Sequence, residues 1–530
     1  MLSAERFFVA RERGEESAEI ARAATYFAPL DDAIALLRLE RICERVQVLA
    51  ACSASTLALG VALRWLDLRR CDVVLAGGYD AISVFVSAGF EALRATTGSA
   101  PRPFRRERDG MVLGEGAAML ALVRSDDTRA TPVLARIAGF GASNDAVHIT
   151  APDRTGRGLA RAGELALKDA GIRPAQIDLV SAHGTATPYN DAMEARAIGF
   201  LFDGEQAPIV HPFKAQIGHT LGAAGALETL AAADALESQV APAAGGGAGG
   251  LGIDTDAAVH LLDVATATPL RAALKLSAAF GGSNAALVLL APEQPPPQRV
   301  EKSVAGVSLV HAAYVTGPES SRLADITGLS IDRLARMDHS CRLALAAVGA
   351  LAEAVGRDQL RGAGIVLGQA VGPLDTNARF DAERRSKGST RVDPRLFPRT
   401  SPNVAAGECA IAYQLTGPGF AVGSGLDGAM EALRVGAMLV AAGDLERLVV
   451  VGIDDAGPVS RDLLRWAGWS HRPFGSGAAA VLLTRNGTGG MADLPLDIPV
   501  NHGEGPVGHL ALIAWLEGMA KANGLPLCRP

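Results

Sequence analysis

The 530 residues are 49% hydrophobic, 20% charged and only 5% aromatic, a balance normal for a globular protein of more than one domain. A net charge of −7 argues against nucleic acid as a partner, because phosphate binding needs a basic face. The six cysteines form no CxxC pair and no regular framework, so they read as reduced thiols of a cytoplasmic protein; no run of about twenty apolar residues predicts a membrane span, and the opening MLSAERFFVARERGEES has no apolar core of a signal peptide.

Short β-rich runs alternate with Ala/Leu helical patterns along the whole chain. In order, AACSASTLALGVALRWL (50–66) places Cys52 among small residues at the start of a helix predicted over 55–68. The positive end of a helix favours a thiolate there, and the small neighbours leave room for a thioester; a lone cysteine is nevertheless more often a buried structural one. Strands are predicted at 71–80, at 177–186, where the run ends in His183-Gly184-Thr185, and at 257–264. KAQIGHTLGAAGALE (214–228) carries Lys214 and puts His219 before a small-residue helix, whose positive end keeps an imidazole neutral. SAAFGGSNAALVLL (277–290) is a Gly-Gly turn feeding a strand, and its amides could line an oxyanion site. Past a Pro-rich linker at 293–302, strands are predicted at 361–368 and 445–455, with a helix at 430–442. Alternation of this kind implies a layered α/β fold.

An internal repeat spans the linker. The segment 71–122 recurs at 445–483, and matching Asp80 to Asp454 without gaps sets Cys52 opposite Leu426. The first module has only 51 residues ahead of its cysteine, and the strand at 364–376 has no counterpart there. The tail GPVGHLALIAWLEGM (505–519) faintly echoes AQIGHTLGAAGALETL (215–230). The expected divisions are therefore 1–125 and 126–292 for the two halves of the first module, a linker at 293–302, a second module at 303–486 and a tail at 487–530.

Taken together, ACSAS, RPFRRERDGMVLGEGA (102–117), HGTATPYND, KAQIGHTLGAAGA and FGGSN resemble the elongating β-ketoacyl-acyl-carrier-protein synthases. The resemblance implies a thiolase-like layered αβαβα fold with a second partial thiolase-like module. It implies decarboxylative condensation of acyl and malonyl groups on acyl carrier protein, in fatty acid, polyketide or aryl-polyene synthesis, with no metal or cofactor. Cys52 would accept the acyl chain, and His183 and His219 would stabilise the malonyl enolate. Lys214 and Glu194 would form a supporting ion pair, and the amides of Cys52 and Phe280 would bind the tetrahedral oxyanion. Ala278 stands where many relatives have a second phenylalanine. SPNVAAGECAIAYQLTGPGFAV (401–422), leading into Leu426, is similar to the inactive chain-length-factor partners of such synthases, which implies a pseudo-dimer or homo-oligomer. The alternative from another class is a non-catalytic scaffold that binds a carrier protein or a partner synthase.

Overall fold

The computed structural model describes residues 1–127, 132–246, 252–295, 304–317, 320–485, 492–500, 505–523 and 527–528. Most of the linker, the glycine-rich stretch 247–251 and His502 of the tail lie outside the described residues. The chain divides into two compact units. One holds Met1–Leu49, Ser83–Ala92 and Ser303–Pro530, and the other Ala50–Ile82 and Leu93–Lys302. The division is interleaved: Met1–Leu49 and Ser83–Ala92, expected with the first module, group with Ser303–Pro530. The first 49 residues are held by long-range contacts to the C-terminal part: Phe7, Phe8 and Phe27 share one buried cluster with Leu426, Leu463 and Trp466.

The unit containing Cys52 has four layers. Val73–Asp80 and Gly116–Val123 form a two-stranded antiparallel ribbon. Behind it lie the helices Ala54–Asp67 and Ala224–Ser238, then a five-stranded sheet in which Ala272–Ala278 runs between Ser283–Leu290 and Leu179–Ser181. The helices Arg157–Ala170 and Pro188–Leu201 form the last layer. Small residues make these layers close: a Cβ on Gly225 would meet Thr56 Oγ1 at 2.1 Å, and one on Gly60 would strike the Phe140 ring at 2.3 Å. An αβαβα stack would carry one more helical layer outside the ribbon, and none covers it among the described residues.

The run 257–264, expected as a strand, is irregular apart from one isolated bridge between Ile209 and His260. Its carbonyls serve two different neighbours, His260 accepting from the Val210 amide and Leu262 from the Ala244 amide, so no single ladder forms.

The other unit is built on an eight-stranded mixed sheet. Its centre is Gly364–Gly368, Arg447–Asp454 and Gly477–Arg485, flanked on the far side by Val307–Val315. The first two pair parallel and are apolar on both faces, as buried parallel strands are. One face packs on the helix Gly428–Ala441, where a Cβ on Gly436 would meet Leu448 and Val450 at 2.8 Å. The opposite face lies under the helix His339–Val355. The tail echo corresponds to the helix His509–Asn523. The amide of His509 donates to Asp454 at 2.8 Å, as that of Gly222 donates to Asp80 at 3.0 Å. The two modules thus repeat this contact, three residues out of the register that the sequence suggests. Among the described residues no helix is long and apolar enough to cross a membrane.

Candidate active site

The nucleophile segment begins with strain. Ala51 has φ +46°, a left-handed conformation that costs a non-glycine residue about 1–2 kcal/mol. Ala186 (φ +62°) and Leu221 (φ +51°) share it, so each lies within three residues of Cys52, His183 or His219. Strain of this kind persists where the surroundings over-determine the backbone. The turn at Ala51 sets Cys52 just ahead of the helix Ala54–Asp67. The Ser53 hydroxyl bonds Ala50 O at 3.0 Å and Ser283 Oγ at 3.1 Å, which ties the nucleophile segment to the Gly-Gly turn.

That turn is fixed from several sides. Gly281 and Gly282 have φ of +81° and +72°, which glycine adopts without penalty. The Gly281 amide donates to Ile149 O at 2.7 Å, the Asp145 amide to Gly282 O at 2.9 Å, and Asn144 Nδ2 to Gly281 O at 2.9 Å. Phe280 opens the turn and is half-buried, next to Ala279.

His219 Nε2 lies 3.0 Å from Cys52 Sγ, and the Leu221 amide donates to His219 Nδ1 at 3.2 Å. An amide can only donate, so Nδ1 is unprotonated and the ring proton sits on Nε2, aimed at sulfur. The same logic fixes His183, whose Nδ1 lies 3.3 Å from Lys214 Nζ. An ammonium has no acceptor, so Nε2 carries this ring's proton too. The two rings stand 5.5 Å apart, nearly perpendicular at 88°. Both are buried. Burial holds them well below the usual histidine range, and the Lys214 and Lys275 charges push the same way.

Cys52 is also buried, and burial pushes its thiol up to about 12 against the opposing pull of Lys214. The sequence expectation of a thiolate favoured by the helix terminus meets a stronger opposing effect, because the site excludes water. The Nε2–H of His219 and the helix terminus favour the charged sulfur; desolvation outweighs them in the resting state.

One expected pairing is corrected. Lys214 does not bind Glu194; its Nζ pairs with Glu228, whose other oxygen is 2.8 Å from Lys275 Nζ. All three side chains are at most 3% exposed, so one carboxylate neutralises part of two buried ammonium groups. Lys275 also donates to Ser277 Oγ at 2.9 Å, and Ser277 meets Thr56 Oγ1 at 2.8 Å. A continuous polar chain thus runs from His183 through Lys214, Glu228, Lys275 and Ser277 to the nucleophile helix. Glu194 instead accepts the amides of His183 at 2.5 Å and Gly184 at 2.7 Å. It sits one helical turn past Asp191, which accepts from Phe104 at 2.8 Å and Ala186 at 3.2 Å. Burial raises both carboxyls, Glu194 to about 7 and Asp191 to about 6. Both act on the backbone of the histidine loop.

Sequence reasoning missed Glu228 and Lys275. Each had a signal: Glu228 interrupts the small-residue helix GALETL, and Lys275 interrupts the fully buried strand AALKLSA. A charge inside an apolar element needs a partner.

The tautomers give a direct expectation. In a ¹⁵N-histidine titration, His183 and His219 should keep the shifts of neutral, Nε2-protonated rings from pH 8 down to pH 6, through the range where a free imidazole takes up its proton. Titration of either ring near 6.5 would contradict the depressed values and the assigned hydrogen bonds.

In the other unit the corresponding positions are closed. Leu426 is buried among Phe7, Phe8, Phe27, Leu463, Trp466 and Val507. Asp427 pairs with Arg472 at 2.8 Å, and Asp454 with His509 at 3.0 Å.

Comparison with known proteins agrees with the geometry. Residues 44–128 and 299–485 match the family described as "Beta-ketoacyl synthase, N-terminal domain", and residues 134–246 match "Beta-ketoacyl synthase, C-terminal domain". The 3-oxoacyl-acyl-carrier-protein synthase 2 of Rhizobium meliloti is 37% identical over 257 residues, 46% of this chain and 59% of that protein. The synthase of the same name from Coxiella burnetii is 38% identical over 207 residues, 37% of this chain and 50% of that protein. The chain thus spans between half and three-fifths of the length of these curated relatives. A solved structure, "PfaC Keto synthase-Chain length factor", superposes with a TM-score of 0.69 at 19% identity, covering 83% of this chain and 58% of that one; at that identity the likeness is one of fold, thiolase-like α/β.

Proposed function

Because this chain belongs to the β-ketoacyl synthase family, we propose that the unit holding Cys52 catalyses decarboxylative condensation of an acyl group with a malonyl group, both carried as thioesters on the phosphopantetheine of acyl carrier protein. The observation that supports it best is the pair of neutral imidazoles in the same Nε2–H tautomer, one of them 3.0 Å from the Cys52 sulfur.

In this reading the Cys52 sulfur attacks the acyl thioester carbonyl, and the pantetheine thiol leaves with the cysteine proton. The amides of Cys52 and Phe280 take the oxyanion, held in register by the Ser53–Ser283 contact. Malonyl thioester then enters. Its carboxylate leaves as CO₂, and the electron pair moves into an enolate whose oxygen accepts from the Nε2–H groups of His183 and His219. Preorganised donors in a water-excluded site stabilise developing charge best. The enolate carbon attacks the acyl-cysteine, forming the carbon–carbon bond and releasing the Cys52 thiolate. Splitting the condensation at a covalent intermediate turns one difficult step into two easier ones. Lys214 and Glu228 are positioning residues that hold the His183 tautomer, and Glu194 holds the loop that carries it.

The unit with Leu426 takes no acyl group in this proposal, since an apolar cluster fills the position opposite the nucleophile. It is chain-length-factor-like, and a pseudo-dimer or homo-oligomer in the cytoplasm is the state proposed for the assembly.

The direct test is acyl loading. Incubation with a medium-chain acyl carrier protein should add one acyl mass to the tryptic peptide that contains Cys52, and none to any peptide around Leu426. A folded protein that takes up no acyl group would leave the scaffold reading in place of the enzyme.

A further inference from the structure

One buried charge takes no part in the steps above. Lys275 lies inside the strand Ala272–Ala278, and its side chain is fully buried. The strand register shows why it reaches the histidines. Ser181 pairs with His211 of the strand Ile209–His211 on one side and with Lys275 on the other. Paired residues of neighbouring strands point to the same face, so the three form a polar row. The row faces the helix Ala224–Ser238: Ser181 Oγ reaches Glu228 O at 3.4 Å, and Lys275 Nζ lies 2.8 Å from Glu228 Oε2.

The surroundings of Lys275 make it an ammonium. Its Nζ meets Glu228 Oε2, donates to Ser277 Oγ at 2.9 Å and donates to the Leu276 carbonyl. Three acceptors match three hydrogens; a neutral amine would turn its lone pair on one of them. Lys214 is held by the same carboxylate and by His183 Nδ1. Two buried cations therefore share Glu228. His211, on the same row, adds no charge, because burial lowers it to about 4 against the pull of Glu228. Asp191 has Arg108 at 3.8 Å as its own counter-charge. Glu194 directs both carboxyl oxygens at the amides of His183 and Gly184, and burial raises it to about 7. From neutral pH downward the group of Lys214, Lys275, Glu228 and Glu194 carries net positive charge.

We propose that Lys275 is a positioning residue for decarboxylation: set across Glu228 from Lys214 and touching no substrate, its ammonium supplies a positive field at the His183–His219 pair, toward which the electron pair of the breaking carbon–carbon bond moves. The charge acts twice in the same sense. It opposes a proton on either ring: burial is the main cause of their depressed values, and Lys275 adds to it at both. Neutral rings are the donors that an enolate oxygen needs. The same charge favours electron density arriving at that oxygen, and it counts for more in a water-excluded site than in bulk water. Acyl transfer has no such need, since its oxyanion lies at the amides of Cys52 and Phe280. The inference rests on the reaction proposed above.

The test compares Lys275→Met with Lys275→Gln in the full-length chain. Met matches the apolar stem, and Gln keeps a donor for Glu228 or Ser277 without the charge. Malonyl decarboxylation is measured in the Cys52→Gln background, and acyl loading in the protein that retains Cys52. Both variants should lower the decarboxylation kcat about tenfold, with KM and the acyl-loading rate within about twofold of the parent. The ¹³C carboxyl signal of Glu194, identified by its loss in Glu194→Gln, is titrated in parallel. Removing a nearby cation disfavours a carboxylate, so its midpoint should rise by roughly half a unit or more; a packing role would not move it. A parent that releases no CO₂ overturns the reaction and this role with it. With an active parent, three results overturn the inference alone: an unchanged Glu194 midpoint, a kcat retained in Lys275→Gln, which would make a hydrogen bond and not a charge the contribution, or equal losses in decarboxylation and acyl loading, which would make Lys275 a support of the nucleophile helix through Ser277 and Thr56.

Discussion

Replacing Cys52 with Gln is expected to abolish condensation, to background in a product assay by mass spectrometry, while malonyl thioester still loses CO₂. Condensation requires a thioester on sulfur, and a carboxamide forms none. Decarboxylation requires two donors at the enolate oxygen, and the substitution leaves both untouched: the tautomer of His183 is set by Lys214 and that of His219 by the Leu221 amide. Glutamine also removes the need to bury a thiol whose ionisation is pushed up to about 12. The companion His219→Ala should lower decarboxylation by about 10²–10³-fold, the usual effect of deleting one preorganised donor, and should leave acyl loading of Cys52 measurable. Loss of CO₂ release in the Cys52→Gln protein, with its fold intact, would mean that sulfur takes part in decarboxylation and that the division of labour is wrong.

Glu228→Ala is expected to have the largest effect on stability. Removing one partner of a buried ion pair costs about 3–5 kcal/mol, because the charge left behind has no water and no counter-ion. Here two ammonium groups are left, Lys214 and Lys275, so the unit should unfold at lower denaturant or be recovered only in inclusion bodies. Lys275→Met supplies the contrast. It removes the surplus cation and leaves Lys214 with Glu228 one to one, so it should cost far less than Glu228→Ala in the same urea titration. Equal losses in the two variants would show that Glu228 acts by packing and not by charge.

Much of the site was legible because its residues lie in compact motifs. ACSAS, HGTATPYND and KAQIGHTLGAAGA each bring one chemically distinctive group to the end of a strand or the start of a helix, and the fold gathers Cys52, His183, Lys214 and His219 as those motifs suggested. What escaped depends on three-dimensional phase. Glu194 and Glu228 are both glutamates on helices near the histidines. Only the orientation of Pro188–Leu201 turns Glu194 toward two backbone amides and leaves Glu228 to meet the lysines. Lys275 lies in a strand buried on both faces, where alternation, the usual signal of facing, is absent. The strands at 71–80, 361–368 and 445–455 were readable from β-rich runs bounded by turns. The run 257–264 had the same composition without a neighbour able to form a ladder. The interleaving of the two units left no local trace, because the cluster uniting Phe7 with Trp466 joins residues that share no segment.

The two imidazoles reach the same tautomer by unequal routes. That of His183 is written in a side chain: any change at Lys214 can erase it. That of His219 is written in the main chain, through the Leu221 amide at 3.2 Å, which every residue but proline supplies. A scan that truncates side chains one at a time would therefore report the first control and pass over the second, although the two do the same work. Only Leu221→Pro or an amide-to-ester replacement at that bond would expose it. Natural variation faces the same asymmetry: one donor of the pair can be detuned by a single codon 31 residues away in sequence, whereas the other is held by a main-chain amide that side-chain replacement leaves in place.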